Sequence, residues 1–199
     1  EDAVIDSETL LDVLLHQREN RVGDSVYKMV QCDFAYNSNR MEGSRLTPEQ
    51  TRMVFGRKEI SGEGLPLDDI LEAMNHFEAF DAVLDRSGDP LDADLLRSLH
   101  GTLKAGTTQA RNPLYSVGDY KRYENVVGAF DLPTTPPEKV EAEMEALLGG
   151  YGRAGRHVLD DVLSVHVAVE RIHPFSDGNG RIGRLIMFKE CLRNGIVPF

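Results

Sequence analysis

With 199 residues, the chain is long enough to enclose one proper hydrophobic core and too short for two domains of ordinary size, so one globular unit spanning 1–199 is expected. A formal net charge of -11 excludes a broad nucleic-acid-binding face, which needs clustered Lys and Arg, yet leaves room for a local basic pocket that takes one nucleotide. No apolar run has membrane-spanning length and no charged-then-apolar leader opens the chain, which predicts a soluble, cytoplasmic protein with no membrane and no nucleic acid among its partners.

In chain order, Val26, Met29, Val30 and Phe34 recur at helical spacing and lead into Ser38-Asn39-Arg40-Met41-Glu42-Gly43. Taken alone, Glu42 reads as a solvated acid near a helix end. Leu46-Thr47-Pro48-Glu49 then reads as a helix start with Thr47 as its cap. A glycine-rich break at residues 61–66 precedes the stripe Ile70, Met74, Phe77, Asp81, Leu84, which only Asp81 interrupts. The same period recurs in Leu91, Leu95, Leu96, Leu99, Leu103 after Asp89-Pro90, and in Val140, Met144, Leu147, Leu148 after Pro136-Pro137, with the prolines at the expected helix starts. Between them, residues 107–137 hold four prolines and break the pattern; within this stretch, residues 120–127 suit a small β-hairpin or an extended flap. Val158, Val162, Val165, Val169 and Ile172 alternate steps of four and three, which predicts five side chains on one buried stripe of a central helix. Cys32 and Cys191 fall in helical stretches and read as buried thiols. Asn75, His76, His100, His157 and His166 read as packing or capping residues, since no second type of metal ligand is spaced to join them. The start at Glu1 and the apolar residues 196–199 read as the cut ends of a longer protein.

After residue 172 comes His173-Pro174-Phe175-Ser176-Asp177-Gly178-Asn179-Gly180-Arg181-Ile182-Gly183-Arg184, followed by an apolar-periodic stretch through Leu185, Phe188 and Leu192. The order is helix, tight loop, helix. Pro174 ends the first helix at His173, and Gly178 and Gly180 around Asn179 let the backbone turn with its N–H groups exposed at the start of the second. Such unpaired N–H groups, together with the positive end of the helix dipole, favour a phosphate without any side-chain charge. Arg181 and Arg184 lie three apart on one face of the first helical turn, within reach of polyphosphate oxygens. Asp177 offers the hard oxygen that Mg2+ prefers while it also holds nucleotide phosphates. His173 titrates near neutrality and can accept a proton from an incoming hydroxyl. Singly, a histidine at a helix end is a cap and Gly-Asn-Gly an ordinary turn. Jointly, these residues point to a phosphoryl-type transfer site, in which positioning and charge neutralisation do most of the work.

The segment matches the signature HxFx(D/E)GNGRxxR at every fixed position, and so resembles the Fic family. The resemblance implies an all-α fold, the Fic-fold helical bundle with a small β-hairpin flap near the active site. It implies transfer of AMP from ATP to a Ser, Thr or Tyr hydroxyl of a target protein, with pyrophosphate released. ATP is then the substrate and Mg2+ the cofactor; the partners are a hydroxyl-bearing protein and, in a homodimer, a second copy of the chain. On this resemblance His173 deprotonates the target hydroxyl, Phe175 anchors the loop in the core and Asp177 binds Mg2+. Gly178, Asn179 and Gly180 cradle the phosphates, Arg184 grips the γ-phosphate, and Arg181 assists with phosphate charge. Residues 38–43 fit the family's inhibitory helix pattern (S/T)xxxE(G/N), with Ser38, Glu42 and Gly43 at its fixed positions. Glu42 is then expected to pair with Arg184 and withhold it from the γ-phosphate. The flap is expected at residues 118–128, where Tyr120, Lys121, Asn125 and Val126 would hold the target peptide. Lys121 stands where the family often has Arg, so no bidentate fork is expected there. Rival readings are a Doc-like kinase, whose third cradle position carries Lys where this chain has Gly180; transfer of another nucleotide; and removal of AMP with help from Glu42. From a different class, a catalytically silent nucleotide-binding module is opposed by an intact His173 and Asp177.

Overall fold

A computed structural model describes residues 9–57, 64–127 and 132–198; residues 61–63 of the glycine-rich break and Gly128 of the expected flap lie outside them. Among the described residues the chain forms α1 (Leu10–Glu19), α2 (Val26–Met41), α3 (Pro48–Arg57), α4 (Leu67–Asp85), α5 (Ala93–Leu103), α6 (Pro137–Gly152), α7 (Leu159–Ile172) and α8 (Asn179–Arg193). Two short 3-10 turns, Gln109–Arg111 and Pro113–Tyr115, and two strands, β1 (Val126–Val127) and β2 (Leu132–Pro133), lie between α5 and α6. The fold is all-α.

Local chemistry sets the helix starts. Ser25 accepts the Lys28 N–H at the start of α2, and Thr47 and Gln50 bond reciprocally at α3. Pro137 opens α6 as expected, but α5 begins later than Pro90 suggests, because Asp92 accepts the Leu95 N–H at 2.8 Å and so acts as the cap. The stripe expected on α7 is shorter by one: Val158 is 64 % exposed, in an extended conformation ahead of the helix, with its N–H held by Asp161. Val162, Val165, Val169 and Ile172 are buried.

The central helix is α8 rather than α7. It packs against α2, α4, α5 and α7, and buries Ile182, Leu185, Ile186, Phe188 and Leu192, whereas α7 leaves Leu163 and Val167 exposed. Phe80 of α4 has no exposed surface and meets Phe188 of α8 and Phe34 of α2, with ring centroids 5.1 and 6.1 Å away. This aromatic cluster fixes α2 against the middle of α8. Asp81, the odd residue in the α4 stripe, accepts from the Tyr27 hydroxyl at 2.8 Å and the Gln31 amide at 3.3 Å, which satisfies its half-buried carboxylate. Cys32 and Cys191 are buried and free. Among the described residues no helix is long and apolar enough to cross a membrane.

The strands pair antiparallel, Val126 opposite Pro133 and Val127 opposite Leu132. The pairing therefore sits later than the 120–127 expected, because residues 120–125 bond to the loop after α7, as described below. Phe80→Ala should cost about 3–5 kcal/mol by leaving a cavity between α2, α4 and α8; urea denaturation measures this.

Candidate active site

His173 caps α7 in a left-handed conformation, φ 53° and ψ 62°, and turns the chain into Pro174. A non-glycine residue there costs about 1–3 kcal/mol, so its surroundings must hold it. The His173 N–H donates to the Val169 carbonyl at 2.9 Å, and Nδ1 lies 3.3 Å from the Glu170 carbonyl. A carbonyl only accepts, so Nδ1 carries the hydrogen and Nε2 keeps its lone pair. Burial pushes the imidazole below its ordinary pKa, the Glu170 carbonyl opposes this, and the Lys121 ammonium adds to it. His173 is accordingly neutral at pH 7.

Phe175 is fully buried and stacks on His100, with centroids 4.1 Å apart. The Asn179 amide closes the loop: it accepts the Phe175 N–H and donates to the Phe175 carbonyl, both at 2.8 Å. Its side chain is thus spent inside the loop, and what Asn179 offers an anion is its main chain. Gly178, at φ 81°, begins α8 with no side-chain cap and no acid in the first turn, so the helix's leading N–H groups remain without a side-chain acceptor.

Under the loop lies a ring of charges. Lys104, the cap at the end of α5, is 1 % exposed and donates at 2.5 Å to both Glu72 Oε1 and Asp177 Oδ2. The other oxygen of Glu72 takes Arg181, whose NH2 is 3.6 Å from Asp177. Burial alone would raise the Asp177 carboxyl; Lys104 and Arg181 overcome it and hold the group well below the usual carboxylate range. His100 Nδ1 accepts the Gly118 N–H at 3.0 Å, so its Nε2–H donates to the Asp177 carbonyl at 3.1 Å. Burial, reinforced by Lys104, pushes His100 down to about 4 and keeps it neutral. Asp177 is ionised and 38 % exposed. Among the described residues no three His, Cys, Asp or Glu gather to hold a metal. A cation here would rest on Asp177 and on substrate phosphates, which is how Mg2+ is commonly held.

Arg181 departs from the expected pairing with Arg184. It is 2 % exposed and bound to Glu72, so α4 draws it inward, and only Arg184 keeps partial exposure. Arg184 Nε donates to Ser38 Oγ at 2.9 Å, and its NH2 to the Ser38 carbonyl at 3.0 Å and to Glu42 Oε1 at 2.6 Å. Glu42 ends α2, and Gly43, at φ 95°, turns the chain away. The Glu42 carboxylate lies over Gly180, where any Cβ would collide with Oε1.

The residues expected to hold a target face the protein's own loop. Tyr120 is buried, with the Arg97 guanidinium 4.3 Å from its ring centre. Lys121 is 3 % exposed; its N–H donates to the Pro174 carbonyl at 2.8 Å, and its ammonium to Asn125 Oδ1 and Thr134 Oγ1, both at 2.6 Å. The Asn125 amide reaches the Phe175 carbonyl at 2.9 Å. The main chain of Val126 lies in β1.

Glu72, Lys104 and Thr134 escape the sequence reading, whereas His100, expected to pack or cap, does both: it stacks on Phe175 and bonds the Asp177 carbonyl. Faint signals exist: Lys104 follows His100 by one helical turn on the leucine-lined face of α5, and Glu72 precedes His76 by one turn on a buried face of α4. Asn75 proves to be a cap, donating to the Leu103 and Ala105 carbonyls at the end of α5.

Comparison with known proteins gives this geometry a family. The model described as Fic/DOC family matches residues 90–191, more than half of the 199. Protein adenylyltransferase Fic of Drosophila virilis is 28% identical over 170 residues, 82% of this chain and 33% of that protein. The Drosophila sechellia protein of the same name is 26% identical, with 82% and 32% covered. The chain thus spans about a third of the length of these curated relatives. A Fic domain containing signaling protein from Bacteroides thetaiotaomicron superposes with a TM-score of 0.74 at 27% identity, covering 92% of this chain and 72% of that one. A Fic family protein from Desulfovibrio desulfuricans G20 shares the fold, with a TM-score of 0.69 at 24% identity over 90% and 54% of the two chains. With the loop and the uncapped start of α8 inside the matched region, the chain belongs to the Fic/DOC family.

Proposed function

We propose that this chain is a protein adenylyltransferase that moves AMP from ATP to a side-chain hydroxyl of a target protein, and that Glu42 restrains it. The observation that carries the reading is a neutral imidazole with Nε2 unprotonated, one short loop away from the uncapped start of α8. The names and likeness of its relatives add support.

In this proposal the polyphosphate of ATP rests on the main chain of Gly178, Asn179 and Gly180. His173 Nε2 takes the proton of the target hydroxyl as that oxygen attacks the α-phosphorus. The bond from the α-phosphorus to the oxygen bridging to the β-phosphate breaks, pyrophosphate leaves with the electron pair, and AMP stays on the target as a phosphodiester. Asp177 would hold Mg2+, which supplies charge neutralisation to the polyphosphate when bound. Arg184 serves the γ-phosphate once Glu42 releases it, and Arg181 acts on the site by fixing Asp177 and Glu72 rather than by touching phosphate. One Fic domain includes α2, since α2 packs on both α4 and α8. Two buried, free thiols suit the reducing cytoplasm.

Glu42→Gly removes one charge-assisted hydrogen bond, worth about 1.5–3 kcal/mol, from Arg184, and should raise AMP transfer roughly 10- to 100-fold. Label from the α-phosphate of ATP should appear on protein, label from the γ-phosphate should not, and His173→Ala should abolish transfer with its circular dichroism unchanged. Transfer of γ-label would replace this reading with a kinase; an unchanged rate in the Glu42 variant would remove the restraint.

Transfer by Glu42→Gly should also follow the neutral form of His173. Because burial lowers that pKa below its ordinary 6.5, the rate rises as pH is raised through the lowered value and is flat from neutrality upward. A pH–rate profile with its acid inflection above pH 7 would count against His173 as the base.

A further inference from the structure

The neck of the hairpin is built around a buried cation held by neutral acceptors. Lys121 is 3 % exposed, and among the described residues no carboxylate lies within ion-pair distance of its ammonium. Burying a cation on neutral acceptors is costly, and an apolar side chain would fill the space at less expense. What the ammonium gains is two acceptors from opposite arms of the hairpin: Asn125, which precedes β1, and Thr134, which follows β2. The Thr134 hydroxyl also lies 3.0 Å from the Asn125 carbonyl and 2.7 Å from Asn125 Oδ1, so the three side chains form one closed cluster. The strands it gathers are two residues each, and a ladder that short is marginal alone.

The same cluster grips the catalytic loop. The Lys121 N–H bonds to the carbonyl of Pro174, the residue after His173, and the Asn125 amide bonds to the carbonyl of Phe175, which Asn179 also holds. We infer that Lys121 is a positioning residue, a clasp that holds both arms of the hairpin to the loop carrying His173, so that the surface presented to a protein target persists only while the clasp is closed. The bonds to the loop stand on geometry alone; the role toward a target rests on the adenylyltransferase reading. Burial pushes the ammonium down to about 8, against the opposing pull of the Glu124 charge, in keeping with a charge retained for its bonding at neutral pH. The clasp bonds directly to neither Arg184 nor the main chain of residues 178–180 among the described residues, and meets Asn179 only through the Phe175 carbonyl that both amides share. Nucleotide binding and target presentation are therefore separable in this site.

Hydrogen exchange tests the clasp directly. In the Glu42→Gly background, Lys121→Met and Thr134→Val should each speed exchange of the hairpin amides at 126, 127 and 132 by about tenfold or more, while helix amides are unchanged. ATP affinity, read by a fluorescent ATP analogue, should stay within about twofold, while transfer of α-phosphate label onto protein hydroxyls in self-modification falls about tenfold or more. Hairpin exchange equal to the parent's in Thr134→Val overturns the inference, and so does equal loss of ATP affinity and transfer. Should Lys121→Met fail to fold, Thr134→Val decides. If the Glu42→Gly parent transfers no AMP, the proposed function falls and the exchange data still judge the clasp.

Discussion

The carboxylate of Glu72 is the pivot of the site. Lys104 and Arg181 are almost wholly withdrawn from water, and each would cost several kcal/mol there without a partner. Glu72 offers one oxygen to each, and Asp177 meets both from the other side, so two acids and two bases from α4, α5, α8 and the loop form a neutral quartet. The quartet explains why Asp177 is ionised and held still, and why Arg181 is unavailable to an outside anion. Arg184 stands outside it as a cation whose charge is left for something else.

That remaining charge is where α2 acts. Ser38 holds Arg184 through two bonds, to its hydroxyl and to its carbonyl, and Glu42 adds a third. The first two do not depend on Glu42. A phosphate that takes the place of the carboxylate therefore meets a guanidinium already oriented, with one bond to exchange and little side-chain freedom to lose. The aromatic contacts of Phe34, Phe80 and Phe188 make this geometry durable, because they fix α2 to α8 one to two turns from the exchange.

The loop was legible because its parts are contiguous: His173, Asp177, Gly178 and Arg184 carry their chemistry within one helix–loop–helix, and spacing alone brings them together. Glu42 and Arg184 were legible only through the resemblance, since 142 residues separate them and no local pattern joins them. Glu72 and Lys104 were not legible, because their meaning comes from separate elements meeting under the loop, and a lone Glu or Lys on a helix ordinarily faces solvent. The helices followed from period, as for α4 and α6. The exceptions were Val158, which a cap withdrew from its stripe, and α8, whose buried charges hid its central place. The hairpin was displaced for a tertiary reason, as Lys121 and Asn125 had already been claimed by Pro174 and Phe175.

Because Gly180 carries no side chain, the tip of Glu42 rests directly against the start of α8. The Glu42 carboxylate rests where a side chain at that position would begin, so any larger residue there would push the tip of Glu42 aside. One substitution at residue 180 would thus reshape the start of α8 and disturb the Glu42–Arg184 pair together.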